Sequence, residues 1–214
     1  MKRAILLLLA AAPLCAQDPY IVAGNHYRLA FENPWVRATR VVYGPHETAP
    51  VHNHPPNPVT VYVYVTDGAV MQFHHVTGNH VAGFTIDRKP VQAGGIRVAH
   101  GAPETHTVKY LGDQATEYAR LELRTEPIDR PTRDVRLTPD RQFENGQLRI
   151  VRVHCDNAQP CPANEHPENP AVTVLMNGSR RGEILWSAAG EKSPLSGPLD
   201  LVRIELKSSP VKSE

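Results

Sequence analysis

The sequence predicts an all-β protein made of two tandem, barrel-like units of short strands behind an N-terminal export signal. Three observations carry this. Segments such as VRATRVV, TVYVYV and EYARLEL alternate in polarity or are rich in β-branched and aromatic residues, and Asp-Gly, Thr-Gly-Asn and Gly-Gly turns interrupt them. The stretch from Phe31 to Pro58 returns without a gap from Phe143 to Pro170, with 11 of 28 positions identical, which marks an internal repeat. The chain also opens on a short apolar run behind two basic residues.

That leader is the first element. Lys2 and Arg3 give a positive start, Ala4 to Ala12 an apolar stretch, and Pro13 ends it. The run is shorter than the roughly 20 residues a bilayer span needs, and its pattern is that of a secretory signal. Residues 1–17 are read as a signal peptide cleaved near Ala16 or Gln17, with no membrane span, and the protein as exported, periplasmic or secreted. Leu14 directly before Cys15 suits lipid attachment poorly. Removing the leader leaves Cys155 and Cys161. In an oxidising compartment the simplest use of such a close pair is one local disulfide; a metal site there would have to recruit His154 and His166.

The mature chain then divides into a first unit, 20–125, a proline-bearing linker, 126–137, and a second unit, 138–210. ARLELR (Ala119 to Arg124) and VRIELK (Val202 to Lys207) echo each other near the ends of the two units. At 214 residues the chain can bury one large core or two small ones. Hydrophobic residues at 41% and charged residues at 21% describe a globular chain, not a disordered one. A formal net charge of +1 gives no reason to expect nucleic acid or an anionic membrane as partner. Arg37 and Arg40 repeat as Arg149 and Arg152, which reads as structural ion pairing with Glu32 and Glu144. Trp186 reads as core.

Chemistry concentrates in the first unit, where nine of the 11 histidines precede residue 107. His52 and His54, one residue apart on a strand, share a face. In the second unit Asn164 stands in place of His52 and Ser193 near the position of His106, while His166 persists. Two uses of the first-unit histidines stay open. They can ligate a divalent metal, or the histidine of the His-Pro-x-Asn-Pro turn can be kept for structure, bonded to a turn carbonyl. His74 and His75 face opposite ways and read as cross-strand surface or packing residues. His26, His46, His80 and His100 read as surface turn residues.

GPHETAPVHNHPPNPVTVYVYVTDG, then AGGIRVAHGAPETHTVKYLGD, then YARLELR, resemble the cupin superfamily, and the resemblance extends over both repeats. It implies two tandem double-stranded β-helix (jelly-roll) barrels, the second degenerate. His52 and His54 match the family's His-x-His and His106 its second-motif histidine. The family's first-motif glutamate falls near Val61 and has no counterpart, so a three-histidine set is implied, as in the thiol dioxygenases of the superfamily. The implied cofactor is one divalent ion per chain, Fe, Mn, Zn, Ni or Cu. The implied partner is a small molecule and the implied activity that of a dioxygenase-like oxidoreductase. Tyr62 and Tyr64 share one face of their strand, where with Tyr110 they either wall a pocket or cover the outer sheet. The alternative is a non-catalytic secreted ligand-binding or structural protein with a vestigial pocket. Assembly into a homodimer is left open. The chain has no Ser-His-Asp order and no glycine-rich phosphate loop.

Overall fold

The computed structural model describes residues 18–54, 59–76, 83–101, 103–129, 131, 133–156, 168–191, 195 and 198–211. Residues 1–17, read as a signal peptide, and the positions of His80, Cys161, Asn164, His166 and Ser193 lie outside them. A one-turn helix α1 (Pro19–Val22) comes first, capped by the Asp18 carboxylate accepting from the Tyr20 N–H at 2.9 Å. Among the described residues, everything after it is strand, turn or irregular chain.

The first unit contains β1 (Tyr27–Glu32), β2 (Val36–Tyr43), β3 (Thr48–His54), β4 (Val59–Tyr64), β5 (Met71–His75), β6 (Phe84–Arg88), β7 (Ile96–His100), β8 (Glu104–Tyr110), β9 (Thr116–Leu123) and β10 (Val135–Leu137). The second contains β11 (Phe143–Glu144), β12 (Leu148–Cys155), β13 (Ala171–Leu175), β14 (Ile184–Ser187) and β15 (Leu199–Leu206). Strands of the first unit form a six-stranded sheet, β1-β2-β9-β4-β7-β10, and a four-stranded sheet, β3-β8-β5-β6. The pairings within both are antiparallel. In the second unit the described residues form one five-stranded sheet, β11-β12-β15-β13-β14. Its order reproduces the first five strands of the six-stranded sheet, with β11, β12, β15, β13 and β14 in the places of β1, β2, β9, β4 and β7. Register agrees as well. Phe31 faces Ala38 and Glu32 faces Arg37, while Phe143 faces Ile150 and Glu144 faces Arg149.

β4 shows why the strands sit where they do. Val59, Val61 and Val63 alternate with Thr60, Tyr62 and Tyr64, and both faces are covered. The valines join Leu121 and Leu123 of β9 in one apolar cluster that also holds Leu148, Ile150, Val172, Val174, Val202 and Ile204 of the second unit. The outer face of the six-stranded sheet is therefore packed against the five-stranded sheet. Each fully buried aliphatic there contributes about 1.5–3 kcal/mol. The inner face meets the four-stranded sheet through Val41, Tyr43, Tyr62 and Tyr118 on one side and Phe73, Val108 and Tyr110 on the other.

The proline-bearing connection is only partly a linker. Val135–Leu137 pair with β7 as β10, because Val135 and Leu137 have apolar cover in the shared cluster. The repeated arginines do pair with acids: Arg37 Nε with Glu32 at 2.7 Å and Arg149 Nε with Glu144 at 3.8 Å. Arg40 and Arg152 turn instead to Glu117 and Asp200, with contacts of 2.6 and 2.5 Å. Trp186 is partly buried against the shared cluster.

Candidate metal centre

Strand parity and register bring His52, His54 and His106 together. His52 and His54 leave β3 on its inner face, and β8 pairs with β3 so that His106 lies directly opposite His52. The candidate ligand atoms of the three all lie within 4.8 Å of one another. Nitrogens around one ion with bonds of roughly 2.0–2.1 Å would sit about 3–3.5 Å apart. The wider spacing here reflects rings packed edge to face, with centroids 4.8 Å apart for His52 and His106 and 4.9 Å for His52 and His54.

The rings are buried and underused. His52 is 0% exposed and His106 1%. His52 Nδ1 lies 2.7 Å from the Pro50 carbonyl; a carbonyl only accepts, so this nitrogen carries the proton and Nε2 keeps its lone pair. That Nε2 has no hydrogen-bond partner, and neither does either nitrogen of His106. Buried polar atoms without partners are rare and costly. One ion would take a lone pair from each ring, at His52 Nε2 and at one nitrogen of His106. The other His106 nitrogen, an N–H, would need an acceptor such as the Glu104 carboxylate, 3.6 Å from Nδ1. Pro50 lies on β3 itself, so this bond stays within the strand and is not the turn-carbonyl bond foreseen for His54. Burial holds His52 below the ordinary imidazole value and His54 well below it. His106 is pushed down to about 2, by burial first and then by His52 and His75. All three rings are thus neutral, the form that ligates.

Two neighbours were not legible as site residues. Glu104 pairs across the ladder with His54, and its Oε2 lies 3.6 Å from His106 Nδ1. His75 lies opposite His106 on the β5 side, with ring centroids 5.3 Å apart. Only the pairing register reveals either, and no local motif encodes it. The surface or packing role expected of both adjacent histidines holds for His74, which meets Thr85 on the outside. His26 is also not the surface residue expected. It is buried, stacked on Tyr43 at 4.4 Å, with Nδ1 3.1 Å from the Val42 carbonyl.

The interior around the histidines is filled with aromatic rings. Tyr27 lies 5.0 Å from His52 and 5.7 Å from His54 between centroids. Tyr62 and Tyr64 face inward with Phe73 and Tyr118, but the void among them is ≈ 20 Å³, room for about one water. Tyr110 is core, its hydroxyl accepting from the Ala69 N–H at 3.3 Å. Burial alone would raise the Tyr62 phenol, but Arg120, Arg88 and Arg97 hold it below its ordinary value. Open space reaches His54 elsewhere, in a cavity of ≈ 220 Å³ walled by Tyr20, Arg37, Asn53, His54 and Glu122. Glu122 is buried and bonded to Arg120 at 2.6 Å. Tyr20 is held by the Thr39 hydroxyl, so α1 forms one rim of this entrance.

A double-sheet barrel of antiparallel strands with a histidine cluster on its inner face defines a protein of the cupin fold. No protein-family model and no curated protein matches the chain. Solved structures do. The protein YlbA from Escherichia coli is 8% identical with a TM-score of 0.57, over 86% of this chain and 83% of that one. AerE from Microcystis aeruginosa is 13% identical with a TM-score of 0.52, over 85% and 97%. A bacterial pirin, YhhW from Escherichia coli, described in complex with nickel(II), is 10% identical with a TM-score of 0.53, over 86% and 91%. At these identities the likeness is one of fold.

Proposed function

We propose that the protein is an exported, mononuclear metalloprotein of the cupin type. His52, His54 and His106 would hold one divalent ion in the first unit, and a small organic molecule would reach it through the cavity beside His54. The observation that carries this is the unpartnered Nε2 of His52 and both nitrogens of His106, buried and within ligand reach of His54. When bound, the ion supplies Lewis acidity and open positions for a substrate or oxygen, which fits a dioxygenase-like oxidoreductase. Fe, Mn, Zn, Ni and Cu all accept imidazole, so the residues do not select among them.

The chain's own groups do the rest. Tyr20, Arg37 and Asn53 offer hydrogen bonds at the cavity wall, and Glu122, steadied by Arg120, offers a carboxylate oxygen to a substrate proton. The second unit is proposed to be a metal-free copy, since Asn164 and Ser193 replace two of the three ligands, and Cys155 and Cys161 its local disulfide. A second reading, a non-catalytic ligand-binding protein, draws on the interior packed by Tyr27, Tyr43, Phe73, Tyr110 and Tyr118. Elemental analysis of the purified protein before and after chelation tests the choice. About one ion per chain, lost in His106→Ala, supports the metalloprotein. A protein free of bound metal after incubation with each of the five ions leaves the second reading.

A further inference from the structure

We propose that the groove beside β7 and β10 is an anion site, separate from the histidines, that takes a small monocarboxylate with an apolar body. It is walled by Tyr64, Gln92, Arg97, Arg136, Thr138 and Pro139 and has a volume of ≈ 390 Å³, in the range of small-molecule sites. None of the three histidines lines it.

Its charges are unbalanced. Arg97 and Arg136 are direct cross-strand partners, an arrangement that like charges make unfavourable. One carboxylate, Asp134, answers them among the described residues, with its Oδ2 2.6 Å from Arg97 Nε. Two guanidinium charges less one carboxylate leave one positive charge.

A donor is also unused. The Arg97 side chain is 9% exposed, and its Nη1 is buried with no hydrogen-bond partner. A buried charged donor left this way is among the more expensive polar defects. Tyr62 fixes the guanidinium from one face, its ring centre 4.9 Å from the guanidinium carbon, so the group cannot swing out to water without losing that stack. A bound carboxylate supplies the missing negative charge and two acceptor oxygens, one for Arg97 Nη1 and one for Arg136. Tyr64 and Gln92 add neutral donors at the wall, and Val91, Leu137 and Pro139 receive the apolar body.

Calorimetric titration of the full chain with benzoate, and with benzamide as its uncharged analogue, tests this. One benzoate per chain is expected, with benzamide weaker by roughly tenfold or more, the scale of one charge-assisted contact. Arg136 is exposed, so Arg136→Gln should keep the melting temperature while weakening benzoate by a similar factor. Chelation and His106→Ala should leave benzoate binding unchanged. Equal binding of the two probes, full benzoate affinity in Arg136→Gln, or no binding at millimolar benzoate overturns the site. So does loss of benzoate binding on chelation or in His106→Ala, which would put the probe at the histidines.

Discussion

His52 and His106 stand directly opposite each other across the β3–β8 ladder, ring centroids 4.8 Å apart, each with an Nε2 that bonds to nothing in the protein. Cross-strand partners cannot move apart without breaking the ladder, so the chain holds two ligand-competent rings side by side, edge to face. Replacing His106 by alanine leaves two histidines on one strand, a poor set by itself. That variant should lose its metal while keeping the folded far-ultraviolet spectrum. His75→Ala, removing the neighbour that is not within ligand reach, should keep one ion per chain by elemental analysis. Equal metal content in parent and His106→Ala would overturn the assignment.

Acid should destabilise the metal-stripped protein, and the sign follows from burial. In the folded state His52 and His54 lie below their ordinary value and His106 falls to about 2, whereas in the unfolded chain all three titrate near about 6.5. Below that pH the unfolded chain takes up protons that the folded one refuses. Stability is therefore complete above about pH 6.5 and drains as pH falls toward the depressed folded values, by up to about 1.4 kcal/mol per pH unit for each ring. The melting temperature should be level from pH 8 to 7 and fall steadily from 6 to 4, with a shallower fall in His106→Ala. A level profile across the acid range would contradict the buried neutral rings.

The shared apolar cluster predicts one unfolding transition. Leu121 and Ile204 are 0% exposed and lie in the same cluster from opposite units. Leu121→Ala and Ile204→Ala should each cost about 2–5 kcal/mol. Both should lower a single denaturant midpoint seen alike by circular dichroism and by Trp35 and Trp186 fluorescence. Two separated transitions would mean that the units fold independently.

Gly94 and Gly190 form a matched test of the contact between units. Both have positive φ, +80° and +74°. A methyl at Gly94 would run into Arg152 Nη1 and approach Pro139, whereas at Gly190 nothing lies within 4 Å. Gly190→Ala should cost about 1 kcal/mol of backbone strain. Gly94→Ala should cost clearly more, because Arg152, tied to Asp200 by contacts of 2.8 and 2.5 Å, must give way. Equal losses in thermal melts would remove Arg152 from the interface.

Export and sulfur chemistry are open to intact-mass measurement. The mature chain should begin near Gln17 or Asp18, and alkylation of the unreduced protein should add no mass, with two labels appearing after reduction. Labelling without reduction would leave Cys155 and Cys161 unbridged; a chain starting at Met1 would count against export.

Much of this was legible because strand parity is local. His-x-His puts two rings on one face whatever the fold, and the gap-free repeat from Phe31 and Phe143 anticipates the common strand order of the two large sheets. What was not legible depends on pairing. Glu104 and His75 join the histidines only because β8 takes its particular register with β3 and β5. Tyr62 and Tyr64 do point inward, but whether an inward ring walls a pocket or fills it depends on what faces it, here Phe73 and Tyr118. β10 was hidden in a proline-bearing stretch, since three residues carry too little alternation to mark a strand. The Arg97–Arg136 opposition was hidden with it.

The face that the second unit lays on the first works as a dimer partner supplied in cis. Cut after Leu137, the chain would present Val61, Val63, Leu121 and Leu123 to water as one apolar plate, a surface that seeks another of its kind. Tethering the cover to the same chain replaces a concentration-dependent encounter with an intramolecular one. The histidine-bearing half stays sheathed at any dilution.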